Sequence, residues 1–160
     1  MAADTFPNLF LFRDLVPKQL EVLIPLFAPC EFTADTILFE QGDPADNLFA
    51  IVSGEVVVNF KPDDGPVITV ARVQPGSIVG WSAALGSRRY TSTAVCTNYT
   101  QLLRVRGDDL RRLCLQHPDV GSVFLDRLAT VIAERLHSTH DMVLSLLHLG
   151  LDSTAEKNGG

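Results

Sequence analysis

From Cys30 to Arg106 the chain is a succession of short apolar runs, each closed by glycine, proline or aspartate: "TILFEQGDPADN", "LFAIVSGEVVVNF" and "KPDDGPVITVARVQPGSIVG". Val, Ile and Phe in runs this short pack well on a pleated, half-buried surface and lack the length for a helix. "PDDG" at Pro62 to Gly65 reads as a hairpin turn, because Asp and Gly accept the positive φ that tight turns demand. Gly42, Gly54 and Gly76 end apolar runs where corners must form. The cadence predicts a mainly β domain, a barrel or sandwich of short antiparallel strands, over residues 29–106.

The flanks have helical spacing. In "LVPKQLEVLIPLF", Leu20, Leu23 and Ile24 fall on one stripe and Pro17 suits a first turn, so residues 1–28 read as an N-terminal helical segment. After Arg106, "GDDLRRLCLQH" offers a short helix carrying Leu110 and Leu113, ended by His117-Pro118. No proline interrupts the segment from Pro118 to Leu149. Leu125, Leu128, Ile132, Thr139, Met142, Leu146 and Leu149 follow a 3-4 alternation with Arg135 in one slot, the seam of a helix that pairs with a copy of itself. Phe124, Leu136, Val143 and Leu147 add apolar surface beside it. The expectation is C-terminal helices over 107–150, a homodimer through the 118–149 helix whose first half packs on its own barrel, and a polar, frayed tail over 151–160.

An apolar content of 46% with 20% charged residues excludes a disordered chain. No stretch approaches the ~18 apolar residues of a membrane span, and Asp4 precedes the first apolar run, so the expected protein is soluble and cytoplasmic, without a membrane partner. A net charge of −6 opposes nucleic-acid binding, which draws on lysine and arginine neutralising phosphates. Cys30, Cys96 and Cys114 are far apart and odd in number, as reduced core thiols would be.

"GWSAALGSRRYTST", Gly80 to Thr93, reads like half of a phosphate pocket: a glycine, small residues suited to one helical turn near 81–85, and the adjacent Arg88 and Arg89. Other chemistry is thinner. His137, His140 and Asp141 have metal-compatible helical spacing but no third strong ligand nearby. "GDPAD" lacks the bidentate carboxylate of a calcium loop, and Ser82 lacks the second glycine of a nucleophile elbow. No combination suggests an enzyme, and no cofactor is implied.

The string "ILFEQGDPADNLFAIVSGEVVVNF", Ile37 to Phe60, resembles the opening hairpins of cyclic nucleotide-binding domains, and the likeness continues through "VQPGSIVGWSAAL" to cover roughly Phe10 to Leu147. The resemblance implies an antiparallel, jelly-roll-like β-roll with an N-terminal helix and a long C-terminal helix. In that family a cyclic phosphate lies against the start of a short inserted helix, whose unpaired amides attract an anion. Gly80, Ser82, Ala83 and Ala84 are small enough to admit it. Against the family pattern F-G-E-x-A-L followed by P-R-x-A, Trp81 stands where a glutamate would accept the ribose hydroxyl, and an indole cannot accept one. Tyr90 falls on the place of the phosphate-pairing arginine, with Arg89 one residue earlier. Either a loop adjustment returns Arg89 to the phosphate or both Arg88 and Arg89 face solvent. Thr91 and Ser92 keep positions that donate to phosphate, and Thr139, with His140 beside it, matches a threonine set against the purine edge.

The resemblance therefore implies either a sensor of cAMP, cGMP or a related anion that signals through its C-terminal helix to a separate effector protein, or a ligand-free dimeric scaffold. Family transcription factors carry a winged helix-turn-helix after the long helix, and the few residues after Leu149 are too short for one.

Overall fold

The computed structural model describes the backbone of residues 9–159 and the side chains of residues 9–141, 144 and 145. Residues 1–8 of the N-terminal segment, the seam positions Met142, Leu146 and Leu149, the neighbouring Val143 and Leu147, and the tail side chains lie outside the described residues.

The chain enters through a 3-10 turn at Phe10–Phe12 and a helix α1 at Pro17–Leu23. Pro17 opens α1 as its preset φ allows, and the Val16 amide donates to Gln19 Oε1 at 3.0 Å. Eight strands follow: β1 Phe27–Phe32, β2 Ile37–Phe39, β3 Asn47–Ser53, β4 Val56–Phe60, β5 Ile68–Val73, β6 Ile78–Val79, β7 Thr93–Cys96 and β8 Thr100–Arg106. They form two four-stranded antiparallel sheets, ordered β1-β8-β3-β6 and β2-β7-β4-β5. The mainly β roll with flanking helices is the fold that the turn cadence predicts.

The apolar run of β3 shows how the layers stack. Phe49 and Ile51 face the core between the sheets, whereas Leu48 and Ala50 belong to a second core on the helical side. A strand buried on both faces has no polar side to present, which is why "LFAIV" does not alternate.

Two helices close the helical side: α2 at Gly107–Gln116 and α3 at Pro118–Gly159. Phe124 of α3 packs between Phe12 and Phe27, with ring centroids 6.3 and 5.9 Å away. Val120, Leu128 and Val131 continue this inward face. The sequence-derived seam is thus divided: Leu128 and Arg135 turn toward the roll, and the outward stripe is Leu125, Ala129 and Leu136, with Ile132 half-buried between the two faces. The backbone of α3 stays helical past residue 150, where the frayed tail was expected to begin. Ala155, Glu156 and Lys157 favour helix there and no proline interrupts it.

Candidate functional site

The site forms where β6 ends. Gly80 takes φ 82° and ψ 29°, a left-handed conformation that swings the chain out of the sheet into a 3-10 turn at Trp81–Ala83. A Cβ at this position would meet the Asn47 carbonyl at 2.8 Å and the Phe39 and Tyr90 rings at 3.3 Å, so glycine is required by both dihedral and contact. The turn is shorter than the 81–85 helix read from the sequence, and the amides at its C-terminal end are engaged. Ala83 N–H donates to the Gly80 carbonyl at 3.2 Å, and Ala84 and Leu85 N–H both donate to the Trp81 carbonyl at 3.0 Å.

Tyr90 sits in the floor. Its ring stacks on Phe39 with centroids 3.8 Å apart and planes 17° from parallel. Its hydroxyl donates to the Asn47 carbonyl at 2.6 Å and accepts from the Asn47 amide at 2.9 Å. Burial raises the phenol pKa, so the hydroxyl stays neutral and keeps its proton to donate. The two arginines just before it turn elsewhere: Arg89 Nη1 donates to the Gly42 carbonyl at 2.6 Å, and Arg88 is exposed while its carbonyl accepts from the Ala45 amide. The backbone between Asp43 and Tyr90 is tied at both ends, with Tyr90 N–H donating to Asp43 and Gly42 N–H donating to Tyr90.

Gly80, Trp81, Ser82, Tyr90, Thr91 and Ser92 come together around one cleft of about 40 Å³. Ala83 is buried within the turn and, like Arg88, Arg89, Thr139 and His140, does not border the cleft. His140 is exposed on α3, and His137 Nε2 lies 3.4 Å from Asp141 Oδ2 one helical turn away.

The cation at the cleft is one that the motif does not name. Arg135 reaches in from α3 with its guanidinium carbon 5.4 Å from the Trp81 ring centroid, and it is 8% exposed. Its Nε has no hydrogen-bond acceptor, and among the described residues no carboxylate pairs with it. Burial pushes its pKa down to about 10. The sequence signal was a charged residue in an apolar helical seam, which spacing alone cannot distinguish from a dimer contact. A cation–π contact contributes about 0.5–2 kcal/mol. Leaving the buried Nε without an acceptor costs on the order of 1–3 kcal/mol, which offsets that gain. On its far side lies a larger cleft of about 290 Å³ between β5 and α3, bordered by Arg72, Gln74, Ser77, Glu134 and Ser138, with Arg135 as the shared wall.

The comparisons with known proteins agree with this architecture. Residues 29–117 match the family described as "Cyclic nucleotide-binding domain". The chain is 23% identical over 137 residues to a CRP-like cAMP-activated global transcriptional regulator of Mycobacterium tuberculosis, covering 86% of this chain and 59% of that protein. A crystal structure of a putative cyclic nucleotide-binding protein from Geobacter metallireducens superposes with a TM-score of 0.74 at 25% identity, covering 86% of this chain and 99% of that one. A variant of a cAMP-binding acyltransferase from Mycobacterium smegmatis superposes at 0.69 with 31% identity, covering 86% of this chain and 41% of that one. The chain spans under two thirds of the first and last of these. Among the described residues no helix is long and apolar enough to cross a membrane.

Replacing Arg135 by Met removes an uncompensated charge and keeps the volume, so it is expected to stabilise the fold by about 1–3 kcal/mol at pH 7, measured by urea denaturation. The sign follows from the folded pKa lying below that of a free arginine. The penalty is complete below pH 10 and relieved as pH rises through the folded pKa toward that of a free arginine, so equal stability of the two proteins at pH 7 contradicts it.

Proposed function

The chain belongs to the cyclic nucleotide-binding domain family, and from that premise we propose that it is a non-enzymatic regulatory module that binds a cyclic nucleotide, or a ligand with the same kind of anionic head, at the Gly80 turn. The observation that carries this reading is Arg135: a buried guanidinium without an anionic partner, aimed into the cleft where Ser82, Thr91 and Ser92 also stand. A phosphate bound there gains a charge-assisted bond and relieves the burial cost of the cation. The cleft of about 40 Å³ takes little more than phosphate oxygens, since sites for whole organic ligands run to ~300–1,000 Å³. The remainder of a nucleotide belongs in the neighbouring cleft of about 290 Å³ across Arg135. Because Arg135 is on α3, a ligand that engages it favours one placement of that helix over others, and this preference is the route to an output.

A second reading rests on Tyr90. Its stack on Phe39 and double bond to Asn47 fill the floor of the roll as core does, which suits a ligand-free scaffold. Calorimetric titration with cAMP and cGMP separates the two. The sensor reading predicts binding by at least one of them. It also predicts about tenfold or greater loss in Arg135→Gln, the equivalent of a charge-assisted hydrogen bond, and no more than a twofold change in a double Arg88→Ala, Arg89→Ala variant. No heat from either nucleotide leaves the scaffold.

We further propose a homodimer through the outward stripe of α3, where Leu125 and Leu136 are large, apolar and exposed, with output passed to a separate effector. Sedimentation equilibrium is expected to show a dimer that Leu136→Asp converts to monomer. A wild-type monomer at the same concentration contradicts this arrangement.

A further inference from the structure

The loop that carries Tyr90 also carries a charge pattern that the binding reading leaves unused. Arg88 and Arg89 stand three and two residues before Thr91. Residues 85–89 are exposed without a break, and the span from 84 to 92 belongs to no strand or helix. Of the three hydroxyl side chains that border the cleft, Ser82 is buried and Ser92 half-buried, whereas Thr91 is exposed. Among the described residues the Thr91 hydroxyl has no hydrogen-bond partner. An exposed hydroxyl that follows two guanidinium side chains offers the charge pattern taken by the acidic substrate groove of a serine/threonine kinase.

We propose that Thr91 is a phosphorylation site and that its phosphate, once attached, occupies the cleft in place of a ligand. The occupancy rests on the anion-binding reading above. In the modification the Thr91 oxygen attacks the γ-phosphorus of Mg-ATP. The Oγ1–P bond forms as the bond to the β,γ-bridging oxygen breaks, the hydroxyl proton passes to the catalytic aspartate of the kinase, and ADP leaves. The product adds about two negative charges and three acceptor oxygens at the edge of a cleft that Arg135 also borders, a buried guanidinium whose Nε lacks an acceptor. No acidic side chain borders the cleft to repel it. Tyr90, the residue before, is anchored by its stack on Phe39 and its two bonds to Asn47, which keeps position 91 at the cleft edge. A group tethered in this way is present at millimolar or higher effective concentration, so it displaces a free anion that binds the same slot.

The test treats the folded full chain with Mg-ATP and a kinase that requires arginines three and two residues before its target, and locates the phosphate by mass spectrometry. Incorporation at Thr91 is expected, and Thr91→Val is expected to lose it. No incorporation, or incorporation that spares Thr91, overturns the site. In the phosphorylated chain the Arg135 Nε–Hε resonance is expected to move downfield, and the affinity for cAMP, measured by calorimetry, to fall at least about tenfold. A shift at Arg88 with Arg135 unmoved, or an unchanged affinity, overturns the occupancy while leaving the binding reading intact. If the unmodified chain binds neither cAMP nor cGMP, the nucleotide reading falls and the Arg135 resonance alone decides: a downfield shift on phosphorylation supports the occupancy, and an unmoved one overturns it.

Discussion

The contact of the Arg135 guanidinium with the Trp81 indole joins the long helix to the β-roll at the place where the chain leaves β6. Arg135 and Trp81 lie far apart in sequence, on α3 and on the turn after Gly80, and their contact lies where the helix passes the cleft. Apolar packing of Phe124 between Phe12 and Phe27 fixes the start of the same helix more cheaply, because carbon surface asks for no partner. Arg135 does ask for one. Its Nε is buried without an acceptor, which makes this contact the costlier of the two.

Tyr90 explains why the proposed anion anchor is sought on the helix. A phenol stacked on Phe39 and bonded twice to Asn47 extends the intersheet core to the cleft floor, and Gly80 must remain without a side chain to let that ring approach. The neighbouring backbone pairs with Asp43 and Gly42, which carries Arg89 over the outside of the roll toward the Gly42 carbonyl. An arginine on this loop can serve the backbone or the cleft, and the hydrogen-bond register assigns it to the backbone.

The β-roll was legible because turn chemistry is local: Gly42, Gly54 and Gly76 all adopt positive φ, as their places after apolar runs suggested. The helical flanks were legible from spacing. The site was legible only in part, since Gly80, Ser82, Thr91 and Ser92 are named by a contiguous motif while Arg135 enters from a segment more than forty positions away. Periodicity placed Arg135 in the same seam as Leu125, and nothing in a 3-4 alternation says which members face the parent roll and which face out. The choice is made by the crossing of α3 over β5, a tertiary fact. Leu128 and Arg135 went inward; Leu125 and Leu136 did not.

The central claim is that the anion anchor of this domain is on the long helix rather than on the strand loop. Side-chain Nε–Hε resonances of the arginines, followed by NMR as cAMP is added, address it directly. The account predicts a downfield shift and slowed exchange at Arg135 with Arg88 and Arg89 unmoved; shifts at Arg88 or Arg89 with Arg135 unchanged would contradict it.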